Sequence, residues 1–156
     1  MNTNTKRFDR RQILKAAGGL SIMAFGASMS PMAFAAWNKT AFEAKSLSDV
    51  YGALGAGSPS NSGDVQIIAS DIAENGAVVP IQAVSKLANT EQISILVEKN
   101  PSALVCLFNL TADVLPEVTT RIKMGQTSNV TVLVKAGGKY YTATKEIKVT
   151  LGGCGG

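Results

Sequence analysis

Two hydrophobic periods divide the chain. From Lys39 to Leu54 the apolar residues Phe42, Leu47, Val50, Tyr51 and Leu54 recur at roughly the spacing of one helix face, so a short N-terminal helix is expected there. Gly52 to Gly63 is rich in Gly, Ser, Asn and Pro and reads as a loop. Beyond it the apolar residues fall on alternate positions, the period of a half-buried strand. Val65, Ile67 and Ala69 share a face, as do Val79, Ile81 and Ala83, then Ile93, Ile95 and Val97. Asn75-Gly76 separates the first two runs and is the dipeptide best suited to a type I′ hairpin turn. Ala103 to Leu110 is apolar on both faces and is expected to be a central strand, with Cys106 sharing a face with Leu104 and Phe108. Val118, Thr120, Ile122 and Met124 oppose Glu117, Thr119, Arg121 and Lys123, the pattern of a half-exposed strand whose polar side is read as a solvated face.

The last hairpin ends the alternating region. Val130, Val132 and Val134 lead into Gly137-Gly138, a two-residue turn, and Tyr141, Ala143, Ile147, Val149 and Leu151 return on the matching face. Lys145 interrupts that apolar row, which places it at a rim or an interface. Thr142, Thr144, Glu146, Lys148 and Thr150 form the polar side. Seven short strands with turn signals between them predict a mainly β protein, an immunoglobulin-like antiparallel β-sandwich, although the Cys...Trp...Cys spacing of antibody domains is absent. Residues 36–63 would be the N-terminal helix and linker, 64–151 the sandwich, and 152–156 a flexible C-terminal arm.

Residues 1–35 have a different character. Lys6, Arg7, Arg10, Arg11 and Lys15 precede a small-apolar stretch from Ala16 to Met29, which ends in Ala33-Phe34-Ala35, an A-x-A processing site. The segment reads as a cleavable export signal with the mature chain starting at Ala36. Arg10-Arg11-Gln12-Ile13-Leu14-Lys15 resembles a twin-arginine signal, with Asp9 where Ser or Thr is more usual. Such signals carry folded proteins, and the expected location is the periplasm, with no membrane attachment after cleavage. The signal also accounts for the basic balance of the chain, which has fifteen Lys and Arg against eleven Asp and Glu. Five of those bases and one acid lie before Ala36, leaving ten of each, so charge supplies no argument for nucleic acid.

Composition also removes whole classes of chemistry. The chain has no histidine, which excludes Ser-His and Cys-His nucleophilic catalysis and the ordinary His-containing zinc sites. Its two cysteines are too far apart for a metal or redox motif, and no Gly-rich phosphate loop stands between a strand and a helix. No cofactor and no catalytic residue of its own are expected. In its apolar strand Cys106 reads as a buried thiol acting as a small hydrophobe. A disulfide to Cys154 would close a long loop.

Cys154 is set differently, between Gly152-Gly153 and Gly155-Gly156 at the end of the sequence. Glycine reaches backbone angles closed to other residues and loses more entropy than any other when ordered, so four glycines around one thiol specify a mobile arm. At roughly 3.3 to 3.6 Å per extended residue, such an arm projects the thiol on the order of 10 Å or more beyond its root. With no side chains beside the cysteine, the tip is thin enough to enter a narrow channel. The terminal carboxylate disfavours the thiolate, and no general base lies in the motif. Activation must therefore come from a site the arm visits. The chemistry is that of a carrier, and sulfur is the natural cargo because a cysteine holds it through reversible sulfur-sulfur bonds.

A domain with an export signal that ends in Val149-Thr150-Leu151-Gly152-Gly153-Cys154-Gly155-Gly156 resembles the SoxY family, the sulfur carrier subunits of the periplasmic thiosulfate-oxidising (Sox) system. The resemblance extends through Val79-Pro80-Ile81, Asn100-Pro101, Phe108 and Thr120-Arg121-Ile122-Lys123, and the terminal motif is its specific part. Cys106 departs from the family's usual single cysteine. The resemblance implies an immunoglobulin-like sandwich, a complex with SoxZ, and covalent sulfur attachment at Cys154. It also implies a haem c enzyme that loads thiosulfate and a manganese-containing hydrolase that releases sulfate. In organisms that have one, a molybdenum and haem sulfane dehydrogenase would follow. Two other readings stay open. Gly155-Gly156 also fits a carrier adenylated at its carboxylate and loaded as a thiocarboxylate, and the cysteine fits an adhesion module joined by an intermolecular disulfide.

Overall fold

The computed structural model describes residues 38–150, and the expected export signal, Leu151 and the expected arm 152–156 lie outside the described residues. The expected single helix is two. α1 spans Lys39–Glu43 and α2 spans Leu47–Leu54. The break is chemical: Ala44 turns extended, and the Ser46 side chain accepts a hydrogen bond from the Asp49 N–H, which starts a new helix. Gly55 closes α2 in the left-handed conformation.

Nine strands follow: β1 Ser60–Asn61, β2 Val65–Ile68, β3 Ile72–Ala73, β4 Val79–Ser85, β5 Thr90–Val97, β6 Leu104–Asn109, β7 Glu117–Ile122, β8 Ser128–Ala136 and β9 Lys139–Val149. The larger sheet has the order β1-β9-β8-β5-β6, with β3 also on the outer edge of β9. The smaller sheet is β2-β4-β7. The alternating positions named above meet between the two sheets. Val79, Ile81 and Ala83 lie in one buried cluster with Ile93, Ile95, Val97, Val130, Val132, Val134 and Ile147. The β8-β9 hairpin closes through Gly137 and Gly138 with φ of 55° and 74°, the left-handed pair that a type I′ turn requires.

The outer face of the larger sheet is covered too. Leu96 and Leu133 point away from the sandwich interior and pack with Ala41, Val50, Ala103 and Leu104 in a second cluster that includes both helices. β5 and β8 are therefore buried on both faces, which makes them the central strands. β6 is the sheet's edge, correcting the expectation drawn from its apolar run. Its apolar side chains pack partly on the sandwich interior and partly on the helical layer, so apolarity on both faces reports two covered faces, not two neighbouring strands.

A register shift separates the pairs Ile95↔Cys106 and Leu96↔Leu104. That bulge moves Cys106 to the interior side, with Val105 beside it, while Leu104 joins the helical side. Cys106 and Leu104 therefore do not share a face as alternation alone suggests. Asn75-Gly76 is also not a I′ turn, since neither residue has a positive φ. The Asn75 side chain instead accepts from the Ala77 N–H, and the segment between β2 and β4 crosses to the other sheet to form β3.

Truncating the fully buried Leu96 opens a cavity beneath the helices, and Leu96→Ala should cost about 2–5 kcal/mol in urea unfolding. A loss below about 1 kcal/mol would show that the helical layer repacks freely.

Candidate functional site: the root of the C-terminal arm

β9 carries the chain to the arm. Its ladder with β8 runs from Ala136↔Lys139 to Ser128↔Ile147, so the last residues of β9 project beyond their neighbour. Other partners keep them extended. On the outer side β3 pairs in parallel, Ile72 with Lys148 and Ala73 with Val149. The Lys148 N–H donates to the Asp71 carbonyl at 2.9 Å, and the Thr150 N–H donates to the Ala73 carbonyl at 3.1 Å. On the inner side Thr127 Oγ1 accepts from the Val149 N–H at 2.9 Å and donates to the Val149 carbonyl at 3.5 Å.

Lys145 occupies the outer edge of β9 between the short strands β1 and β3. Its Nζ lies 2.8 Å from Asp71 Oδ1 and also donates to the Ala69 carbonyl, tying the segment that precedes β3 to β9. The interruption in the apolar row thus marks a rim contact. The hydrogen bond from Lys145, and then its charge, hold the Asp71 carboxyl below the usual carboxylate range. This link is complete above the ordinary carboxylate pKa and is lost as pH falls through the lowered one.

Gly76 packs on the same region. A Cβ there would overlap the Met124 carbonyl oxygen and come within 2.8 Å of Val149 Cγ1, while the Met124 N–H donates to the Gly76 carbonyl at 2.7 Å. The glycine is required by close approach to the arm root, not by turn handedness. The neighbouring loop is laced in as well, because Asn100 Nδ2 donates to the Lys123 carbonyl at 2.8 Å. Sequence reasoning missed Thr127 and the lacing by Asp71 and Ala73. Thr127 stands just before an alternating run with nothing to mark it, and a two-residue strand leaves no periodicity.

Of the predicted site residues, Cys154, Gly152, Gly153, Gly155 and Gly156 lie outside the described residues. Cys106 is described and is only partly buried on its edge strand, less than the expected buried thiol. That partial burial still pushes its thiol from 9.0 up to about 11, although a backbone hydrogen bond from Ile95 pulls the other way. Ala143, Val132, Ile95 and Cys106 form one row across four strands. Three strand spacings across and six residues along β9 set the Cα atoms of Cys106 and Val149 about 25 Å apart. The residues from Val149 to Cys154 span about 18 Å at most. A disulfide needs Cα atoms within about 7 Å. Joining these cysteines would take a fully extended arm turned back over the sandwich and threaded towards an interior-facing thiol.

Among the described residues no group of three or more His, Cys, Asp or Glu could hold a metal ion, and no helix is long and apolar enough to cross a membrane. What the fold presents is a rigid two-sheet body with one strand end laced on both sides, the body of an immunoglobulin-like sandwich protein. Two variants of a superoxide reductase (neelaredoxin) from Ignicoccus hospitalis share that fold with TM-scores of 0.50. One variant is 15% identical over 64% of this chain and 87% of its own, and the other is 14% identical over 67% and 93%. At those identities the likeness concerns the fold alone.

A family model described as "Sulfur oxidation protein SoxY" matches residues 51–154, from α2 through the cysteine of the terminal motif, and the chain belongs to the SoxY family. The solved structure of the sulfur carrier protein SoxY from Chlorobium limicola f thiosulfatophilum is 40% identical, with 66% of this chain and 96% of that one covered and a TM-score of 0.58. No curated protein matches the chain.

Alkylation of the native protein at pH 8 without reductant should label one thiol, and unfolding should expose a second. Labelling of both in the native state would show Cys106 to be accessible. The pH dependence follows from the raised thiol. Unfolded Cys106 ionises near 9.0 while the folded residue stays protonated until about 11, so its contribution to stability is present below 9 and falls between those values. Cys106→Ala should flatten that part of the curve, and parallel curves for the two proteins would refute the assignment.

Proposed function

We propose that this protein is the covalent sulfur carrier of a periplasmic thiosulfate-oxidising system, holding its cargo on Cys154 and presenting it to partner enzymes. The observation that carries this reading is the SoxY match running through residue 154, to a cysteine flanked by glycines that follows directly on the laced end of β9. The relative of known structure is itself a sulfur carrier protein.

The chemistry divides between the arm and its partners. In loading, the Cys154 sulfur joins the outer sulfur of thiosulfate. The thiol proton is released, and the two electrons of the coupling leave one at a time through the loading enzyme's haem c chemistry, giving a cysteine S-thiosulfonate. A manganese-containing hydrolase then adds water to the sulfonate sulfur, releasing sulfate and leaving a persulfide on Cys154. A molybdenum and haem sulfane dehydrogenase oxidises the remaining sulfur where one is present. This protein supplies neither the oxidant nor the hydrolytic centre and acts as the enzymes' substrate. SoxZ is the partner subunit in this reading, and the export signal delivers the folded protein to the periplasm. Gly152, Gly153, Gly155 and Gly156 keep the tip narrow enough for unrelated clefts.

Mass spectrometry of the exported protein and of its C-terminal peptide, without reductant, tests the reading in cells grown with and without thiosulfate. Adducts of one sulfur or of a thiosulfonate group on Cys154, removable by reductant, are expected. A clean thiol under both conditions would overturn the carrier role. Cys154→Ser should abolish loading, whereas a thiocarboxylate carrier would survive that change. Gly153→Val should slow loading by purified partners with little effect on folding, and unchanged turnover would count against a threading arm.

A further inference from the structure

The end of β9 is held by a device that the sheet does not require. If the β8 register continued past Ser128↔Ile147, Gln126 would stand opposite Val149, but that residue lies in the bend before β8. No backbone group of β8 faces Val149. Thr127 fills the gap with its side chain, accepting from the Val149 N–H at 2.9 Å and donating to the carbonyl of the same residue at 3.5 Å. The opposite side is held by β3, only two residues long, and Gly76 lies against the Val149 side chain with no room for a Cβ. Three independent contacts therefore converge on the last residues before the glycines.

We propose that Thr127 is the positioning residue that fixes the root of the C-terminal arm, so that the last held residue before the glycine motif is Thr150 and not Ile147. The inference rests on the carrier reading for its consequence, although the root itself is a property of the fold. Without the Thr127 hydroxyl, residues 148–150 keep only the two-residue β3 and the packing of Val149 on Gly76, with no hydrogen bond on the inner side. The root then retreats to Ile147, the last residue of the β8 ladder, and the tether gains three residues, roughly 10 Å of contour. A longer tether dilutes the thiol within reach of a docked partner, by on the order of two-fold for this change, and loses the launching direction set by the strand. The body surface that docks is untouched. The effect therefore belongs to insertion after docking, and appears in kcat and not in KM.

The test is Thr127→Val, which keeps the shape and removes the hydroxyl, with Thr127→Ser as the conservative control. Amide hydrogen exchange of the full exported protein should quicken at least tenfold at Val149 and Thr150, while β8 and the earlier part of β9 are unchanged. With the thiosulfate-loading partner, kcat should fall about two-fold or more at constant KM, and Thr127→Ser should restore both readouts. Gly76→Ala, which displaces Val149 from the other direction, should give the same pattern. Unchanged exchange at Val149 in Thr127→Val would overturn the assigned root. Faster exchange with kcat and KM both as in the wild type would show that the clasp positions nothing that matters for loading. Failure of the wild-type protein to load at all would instead sink the carrier reading, leaving the exchange result to decide the root.

Discussion

The pairing of β9 with its neighbours on both edges is the interaction on which the other parts depend. Its inner edge takes nine register pairs with β8, and its outer edge is shared between β1 and β3. Ile147 reaches the interior between the sheets, and the Tyr140 hydroxyl donates to the Leu54 carbonyl at the end of α2 at 2.8 Å. One strand thus contacts each of the three layers. A sheet edge left bare invites pairing with another chain, and here the edge that bears the arm is the one covered, by two short strands with Lys145 set between them. The arm consequently departs from a part of the molecule whose backbone groups are already engaged.

In the proposed carrier role, that arrangement separates two demands that conflict within one segment. A carrier's thiol must reach several sites, which calls for conformational freedom, yet each docked complex must find the thiol within a limited volume. Freedom without an anchored root would spread the thiol too thinly, and an ordered tip could not enter differently shaped clefts. Lacing Val149 and Thr150 while starting the glycines at Gly152 keeps the transition short in sequence. The change from a strand bonded on both edges to residues without side chains takes place around Leu151.

The sequence made much of this legible, for reasons specific to each part. Alternation identified β2, β4, β5, β8 and β9 because each has one face on the interior, and Gly137-Gly138 identified the hairpin because its positive φ values exclude most other residues. Alternation failed at β6, where two covered faces imitate a central strand, and at Cys106, where one extra residue reverses the face. Asn75-Gly76 misled because glycine answers two needs, a positive φ or a close approach, and composition does not say which. Of the candidate site, the cysteine and its glycines were legible as a motif. Their root was not, because Thr127 acts on Val149 across a gap of 22 residues and β3 is too short to show a period.

In the proposed carrier the two cysteines serve different ends, one thiol for transfer and the other for packing, without sharing chemistry between them. Cys106 sits on a strand packed against the interior, where burial holds the proton on sulfur up to about 11 and suppresses nucleophilic attack at neutral pH. Cys154, flanked on both sides by glycines, has no burial encoded by its neighbours and no base beside it. In the proposed role its reactivity is conferred by the partner's centre, through nearby cations or a metal. A carrier gains from that dependence, because a thiol activated in its own right would react with any passing oxidant between visits. The same logic explains why an inactive arm and a partly buried second thiol are compatible. Neither reacts spontaneously with the other, and about 25 Å of sheet between Val149 and Cys106 makes their meeting costly as well as slow.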